Sequence, residues 1–224
     1  MDDTPLFPRA HAPWFIGWPV VALSRLLYNV RALGVENVPK EGGALIVANH
    51  LSYVDVLVLQ LACPRPIRFI GHEAFLRTGW MFRLIYKLTG TIPVSPTNAL
   101  EAMRSVTQAL RAGELVLIFP EGGISRTGQL LKLQRGFELM AHKAGVPVVP
   151  VAHDGLWGSL FSFSENKYLF KSPRIMRSAV CVAWGEPIPA DKANAGVVRE
   201  ALLDLGCQAF DQRPQLKRHL AGEI

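Results

Sequence analysis

Six short apolar runs recur along the chain, at residues 44–48, 67–71, 91–94, 115–119, 146–152 and 179–184, with helix-period stretches between them. Each run is short, largely apolar and often β-branched. Such strands have no polar face to give to water, so they need covering on both sides. The intervening stretches supply the cover, and strand–helix alternation is the pattern of parallel sheets. The expected fold is therefore α/β: a single domain with a mostly parallel mixed sheet flanked by helices. A length of 224 residues, half of them apolar, suits one domain with a substantial core.

The helices carry end signals. Asn98, with Glu101 three residues on, has the spacing of a capping box, and Leu100, Met103, Val106 and Leu110 form the stripe behind it up to Gly113. Leu133, Phe137, Met140 and Ala144 mark a second helix closed by Gly145 and Pro147. Val198, Ala201, Leu202, Leu205 and Phe210 mark a third. Pro150 interrupts an otherwise ideal strand, which predicts an edge or a bulge there because proline cannot donate to a ladder.

Residues 1–35 stand apart as an N-terminal helical segment, with the α/β domain occupying 36–224. Trp14, Phe15, Ile16, Trp18, Val20, Val21, Leu23, Leu26 and Leu27 are too apolar for an exposed helix, and Arg25, Asn29 and Arg31 give it a narrow polar stripe. Two tryptophans beside arginines suit a membrane interface; packing onto the domain's own core is the alternative. No apolar run reaches the ~18 residues a spanning helix needs. The acidic, proline-bearing start lacks the pattern of a signal peptide.

A net charge of +6 and a pI near 9.5 call for a polyanionic partner. The aromatics do not interleave with Lys and Arg, which favours an anionic lipid surface over nucleic acid. Cys63, Cys181 and Cys207 are far apart, without the spacing of a zinc or disulfide framework, so no metal is expected. The chain is expected to lie peripherally on the cytoplasmic face of a membrane.

Two segments can carry chemistry. Asn49-His50-Leu51-Ser52-Tyr53-Val54-Asp55 follows the first run directly, at the strand end where open α/β sheets usually bind ligands. His50 there can take a proton near neutral pH, and Asp55 across the turn could hold the other ring nitrogen. Ser52 and Asp55 also have capping-box spacing, so Asp55 could serve only the helix end. Phe119-Pro120-Glu121-Gly122-Gly123-Ile124-Ser125-Arg126 follows another run on the same expected edge. Gly122 and Gly123 allow close backbone approach to a ligand, and Glu121 could bind a hydroxyl or hold the loop. Arg126 and Lys132 are candidates to meet a phosphate.

Taken in order, these segments resemble the glycerolipid acyltransferase family of 1-acylglycerol-3-phosphate O-acyltransferases. His50, four residues and Asp55 match its first block, Phe119-Pro120-Glu121-Gly122 its FPEG block, Arg135-Gly136 the basic-Gly pair after it, and Val149-Pro150-Val151 its last. The likeness covers about residues 41–152, more weakly to Trp184. It implies a glycerol-3-phosphate acyltransferase-like fold and direct acyl transfer to a lysophospholipid. His50 and Asp55 would be catalytic, with Asn49, Ser52, Glu121, Gly122, Gly123, Arg126, Lys132 and Arg135 binding substrate. No cofactor is implied; acyl-CoA or acyl carrier protein is the co-substrate. Two positions depart: Ser95 stands where the family's second block has arginine, and Ile124 where arginine often follows FPEG. The pattern is closer to the acyltransferase part of bifunctional enzymes that reacylate 2-acylglycerophosphoethanolamine. A phosphodiester head group carries less charge than a phosphomonoester and needs fewer arginines. A non-catalytic lipid-binding module and a hydrolase using Ser52 or Ser125 are the other classes. The chain has no G-x-S-x-G elbow.

Overall fold

The computed structural model describes residues 27–159, 162–163 and 178–214. Among them, seven strands form one sheet: β1 (Tyr28–Leu33), β2 (Ala44–Ala48), β3 (Ile67–His72), β4 (Ile92–Val94), β5 (Leu115–Ile118), β6 (Val148–Asp154) and β7 (Ser178–Trp184). The spatial order is β1-β7-β6-β2-β5-β3-β4. Every neighbouring pair is parallel except β6 with β7. The C-terminal ends of β2 through β6 therefore share one edge of the sheet. This is the mostly parallel mixed sheet that the apolar runs called for.

The helices are α1 (Asp55–Ala62), α2 (Phe75–Thr78), α3 (Trp80–Thr89), α4 (Ala99–Arg111), α5 (Gly136–Ala144) and α6 (Ala195–Asp211). Side chains alternate across the sheet, so β2 contributes to two cores. Leu45 and Val47 pack with Val106 and Leu110 of α4, Phe137 and Met140 of α5, and Val198 and Leu202 of α6. Ala44, Ile46 and Ala48 face the other way, with Val58 and Leu59 of α1. All five β2 residues are buried, which is why the strand is apolar without a break. Phe137 is fully buried, and truncating such a ring to alanine typically costs ~3–5 kcal/mol.

Several expectations are corrected. Tyr28–Leu33, expected as the end of a helical segment with Asn29 and Arg31 on its polar stripe, is a strand paired in parallel with β7. Residues 1–26, which include Trp14 and Trp18, lie outside the described residues. Among those described, no helix is long and apolar enough to cross a membrane. Asn98 does precede α4, but it makes no capping box. Its Oδ1 accepts the Ser95 N–H at 2.6 Å and its Nδ2 donates to Glu73 at 3.2 Å. Leu100 and Phe210 point outward, 74% and 63% exposed, and Ala102 and Ala209 take the inward places. Leu133 is buried but precedes its helix.

β6 is interior, not an edge, despite Pro150. Along a strand, one residue's N–H and C=O point to the same neighbour, and the Pro150 carbonyl accepts the Gly185 N–H from beyond β7 at 2.8 Å. The missing donor thus faces the point where β7 pairing ends, and the β2 ladder loses nothing. Gly185 fits opposite the ring because a Cβ there would lie 2.9 Å from Pro150 Cγ.

Candidate active site

β2 ends at Ala48, and the chain turns through Asn49 and His50 into α1. His50 Nδ1 lies 2.8 Å from Asp55 Oδ2. The same oxygen accepts the N–H groups of Leu51 at 2.7 Å and Ser52 at 3.0 Å. Asp55 therefore does both things its spacing allowed: it closes the turn before α1 and holds the imidazole. Burial alone would raise its pKa, but the neighbouring His153 and His50, by charge and hydrogen bond, bring it down to about 2. An ionised Asp55 can only accept, so Nδ1 is the donor, and in the neutral ring it is Nε2 that carries the lone pair. Nε2 has no partner among the described residues. The ring stacks on Phe119 with centroids 3.9 Å apart and planes 10° from parallel, which sets its direction.

The FPEG segment leaves β5 beside this turn. Glu121 is buried, and its two oxygens accept the N–H groups of His50 at 2.7 Å and Leu131 at 2.7 Å. Of the two roles the sequence left open, binding a hydroxyl or holding the loop, the carboxylate is seen in the second. Burial raises its pKa, against the lowering effect of those two bonds. Ser125 N–H donates to the His50 carbonyl at 2.8 Å, so the two loops are laced together. Gly122 has φ of 76°, a left-handed turn that glycine adopts without strain, and its amide reaches Phe119 O at 3.3 Å. The amides of Gly123 and Ile124 have no acceptor among the described residues.

Both serines proposed for a hydrolase are buried. Ser52 forms an isolated bridge with Ser162, and Ser125 Oγ donates to the Gln129 carbonyl at 2.7 Å. The basic residues are on the surface. Arg126 follows Ser125 and sits over the Phe163 ring, 5.1 Å from its centroid. Lys132 is exposed next to Leu131. Arg135 is turned to Glu138 at 3.0 Å on α5, and no contact joins it to His50.

Sequence reasoning missed His153. Near the end of β6, on the same edge, it is fully buried. Its backbone and the Asn49 side chain bond reciprocally: Asn49 Nδ2 donates to His153 O and His153 N–H to Asn49 Oδ1, both at 3.0 Å. The Asn49 side chain thus ties β2 to β6. The signal was a histidine closing an apolar strand, His153 after Val151 and Ala152, at the edge where ligands bind. A third cluster lies at the ends of β3 and β4. There Ser95 Oγ donates to Glu73 at 2.6 Å, and Arg77 reaches the same carboxylate at 3.6 Å.

The family model named Acyltransferase matches residues 29–154, more than half of the chain and all of the elements that hold His50, Asp55, Glu121 and His153. A 1-acyl-sn-glycerol-3-phosphate acyltransferase of Bacillus subtilis is 28% identical over 161 residues, 71% of this chain and 73% of that protein. One from Cocos nucifera is 26% identical over 216 residues, 94% of this chain but only 63% of its own length. The crystal structure of the 1-acyl-sn-glycerophosphate acyltransferase PlsC from Thermotoga maritima superposes with a TM-score of 0.70 at 23% identity, covering 89% of this chain and 81% of that one. At that identity the superposition speaks for the fold; the family match and the relatives carry the rest, and on them this chain belongs to the acyltransferase family.

Proposed function

We propose that the chain moves a fatty acyl group from an acyl thioester, acyl-CoA or acyl carrier protein, onto the free hydroxyl of a lysophospholipid. The observation that carries this is the 2.8 Å His50–Asp55 contact at a sheet edge, with Nε2 left without a partner among the described residues. Nε2 takes the hydroxyl proton as the oxygen bonds to the thioester carbon. The carbon–sulfur bond then breaks, and the leaving thiolate takes the proton back from His50. Asp55 holds the ring and stabilises its charged form. General-base transfer of this kind is worth ~10²–10⁴-fold, with positioning supplying much of the rest. The amides of Gly123 and Ile124, unbonded among the described residues, are suited to the developing oxyanion. Both serines are buried, so no acyl-enzyme is invoked.

For the acceptor, a phosphodiester head group is favoured over lysophosphatidic acid. Ser95 stands where the family has arginine, and it is bonded to the acidic Glu73. The curated relatives' names favour the second reading, a phosphomonoester. Purified protein offered a panel of lysophospholipids with either donor, with products weighed by mass spectrometry, separates the two. A markedly higher kcat/KM for lysophosphatidic acid rejects the phosphodiester preference, and no acylated product from any pair rejects the function.

The reaction belongs at a bilayer surface on the cytoplasmic side, because acceptor and product both carry acyl chains. Trp14 and Trp18 are the proposed anchors, with Arg25 toward anionic head groups at ~1 kcal/mol; Arg31 lies on β1 with its guanidinium on the Gln212 carbonyl and is not counted among them. Truncation cannot test this beyond Leu27 without cutting β1. Changing both tryptophans to serine can: unchanged flotation with anionic vesicles removes them as the anchor.

A further inference from the structure

Two histidines, not one, meet at Asp55. His153 Nε2 lies 3.1 Å from the Asn49 carbonyl and 3.5 Å from Asp55 Oδ2, the oxygen that holds His50. Both neighbours are acceptors, so Nε2 must carry a hydrogen. The ring is fully buried, where an uncompensated charge would be costly. We infer that His153 is a positioning residue for His50: it shares the Asp55 carboxylate with that ring and fixes the Asn49 carbonyl just before it. The inference rests on the proton-accepting role proposed for His50.

The groups around the pair are few. Asp55 comes from the start of α1 and Glu121 from the end of β5, with its oxygens on backbone amides. Asp154 follows His153 but is paired with Arg213 at 2.8 Å. Tyr28 on β1 is near enough for Asp55 to help raise its pKa, after burial. Burial pushes His153 toward its neutral form, while the Asp55 charge and hydrogen bond pull it back, and the net direction is upward. A cationic His153 offsets Asp55 from one side while His50 approaches from the other. Without it, the whole carboxylate charge would draw a proton onto His50, and a protonated base accepts nothing.

The test is His153→Gln, which keeps an amide N–H near the place of Nε2 but cannot be charged. The acid limb of the pH profile of kcat/KM should move upward by about one unit, the usual scale for an opposite charge at this range, with the alkaline plateau within a few-fold of wild type. A folded variant whose limb stays in place, or whose rate falls equally at every pH, overturns the inference. A second readout needs no turnover: nitrogen-15 histidine NMR of the full chain. In the wild type at pH 7 both His153 ring nitrogens should be protonated, and in His153→Gln the His50 ring should titrate at higher pH. A neutral His153 ring at pH 7 overturns the inference even if the variant fails to fold. A wild type that turns over no acyl thioester instead rejects the proposed function, and the spectra still decide His153.

Discussion

The His50 turn and the basic rim around it follow opposite rules. In the turn, every carboxylate oxygen with a partner is bonded to a backbone amide or an imidazole ring: Asp55 to Leu51, Ser52 and His50, Glu121 to His50 and Leu131. On the rim, Arg126, Lys132 and Arg135 are exposed, and among the described residues Arg135 pairs only with Glu138, on the helix that it precedes. The chemistry is held by bonds that leave the side chains one arrangement. Recognition of the acceptor is left to side chains that can adjust. Substitutions of the turn's two carboxylates should therefore act on kcat and stability together, and those on the rim on KM alone.

The sharpest break of that contrast is His50→Ala. Transfer should fall by about 10³-fold or more while the melting temperature hardly changes, because the ring packs on Phe119 at the surface and carries little core. A folded variant that keeps more than a few per cent of the rate would place the base elsewhere. Next is Asp55. Asp55→Ala should cost ~3–5 kcal/mol in a denaturant titration, since it orphans two amides and uncovers a buried histidine, and activity should vanish with it. Asp55→Asn should lose the rate with a smaller stability penalty, because an amide oxygen still accepts from Leu51 and Ser52. If Asp55→Ala lowers only the melting temperature and spares the rate, the carboxylate is a helix cap and no more. Acid also separates the roles. A folded pKa brought down from 3.8 to about 2 means the stability Asp55 contributes is complete above 3.8 and lost as pH falls toward 2, so the wild type should lose its advantage over Asp55→Asn in that window.

Glu121→Gln sharpens the comparison at intermediate size. An amide can accept one of the two N–H groups, but its own NH₂ then opposes the other. A loss of ~1–3 kcal/mol and a roughly tenfold slower rate are expected. An unchanged thermal melt would mean that the lacing to Leu131 is unimportant. The smallest effects belong to the rim. Arg126→Gln and Lys132→Gln should each raise the acceptor KM a few-fold with kcat nearly constant; a fall in kcat with KM unchanged would move either residue into the turn's class.

The sequence disclosed the turn better than its surroundings for a physical reason. His50 and Asp55 are five residues apart, so local spacing is enough to foresee their contact. Six strands were legible because a strand covered on both faces must be largely apolar. β1 was not: Tyr28, Asn29 and Arg31 give the mixed pattern of an edge, and its partner β7 lies at the far end of the domain. Asn98 was misjudged because Glu73, distant in sequence, competes for its side chain. His153 was overlooked for the same reason, since its partners Asn49 and Asp55 are brought to it only by the pairing of β6 with β2.

β1 has one further consequence, for the order of events on the ribosome. Its six residues emerge among the first of the sheet, yet among the described residues their only strand neighbour is β7, the last of the described strands to be made. Until then Tyr28–Leu33 is a free ribbon of backbone donors and acceptors, open to pairing with any exposed strand, including that of another nascent chain. Such long-range closure is slow because it waits on the intervening chain. The polar Asn29 and the charged Arg31 within it are what an unpaired strand needs to stay solvated while it waits.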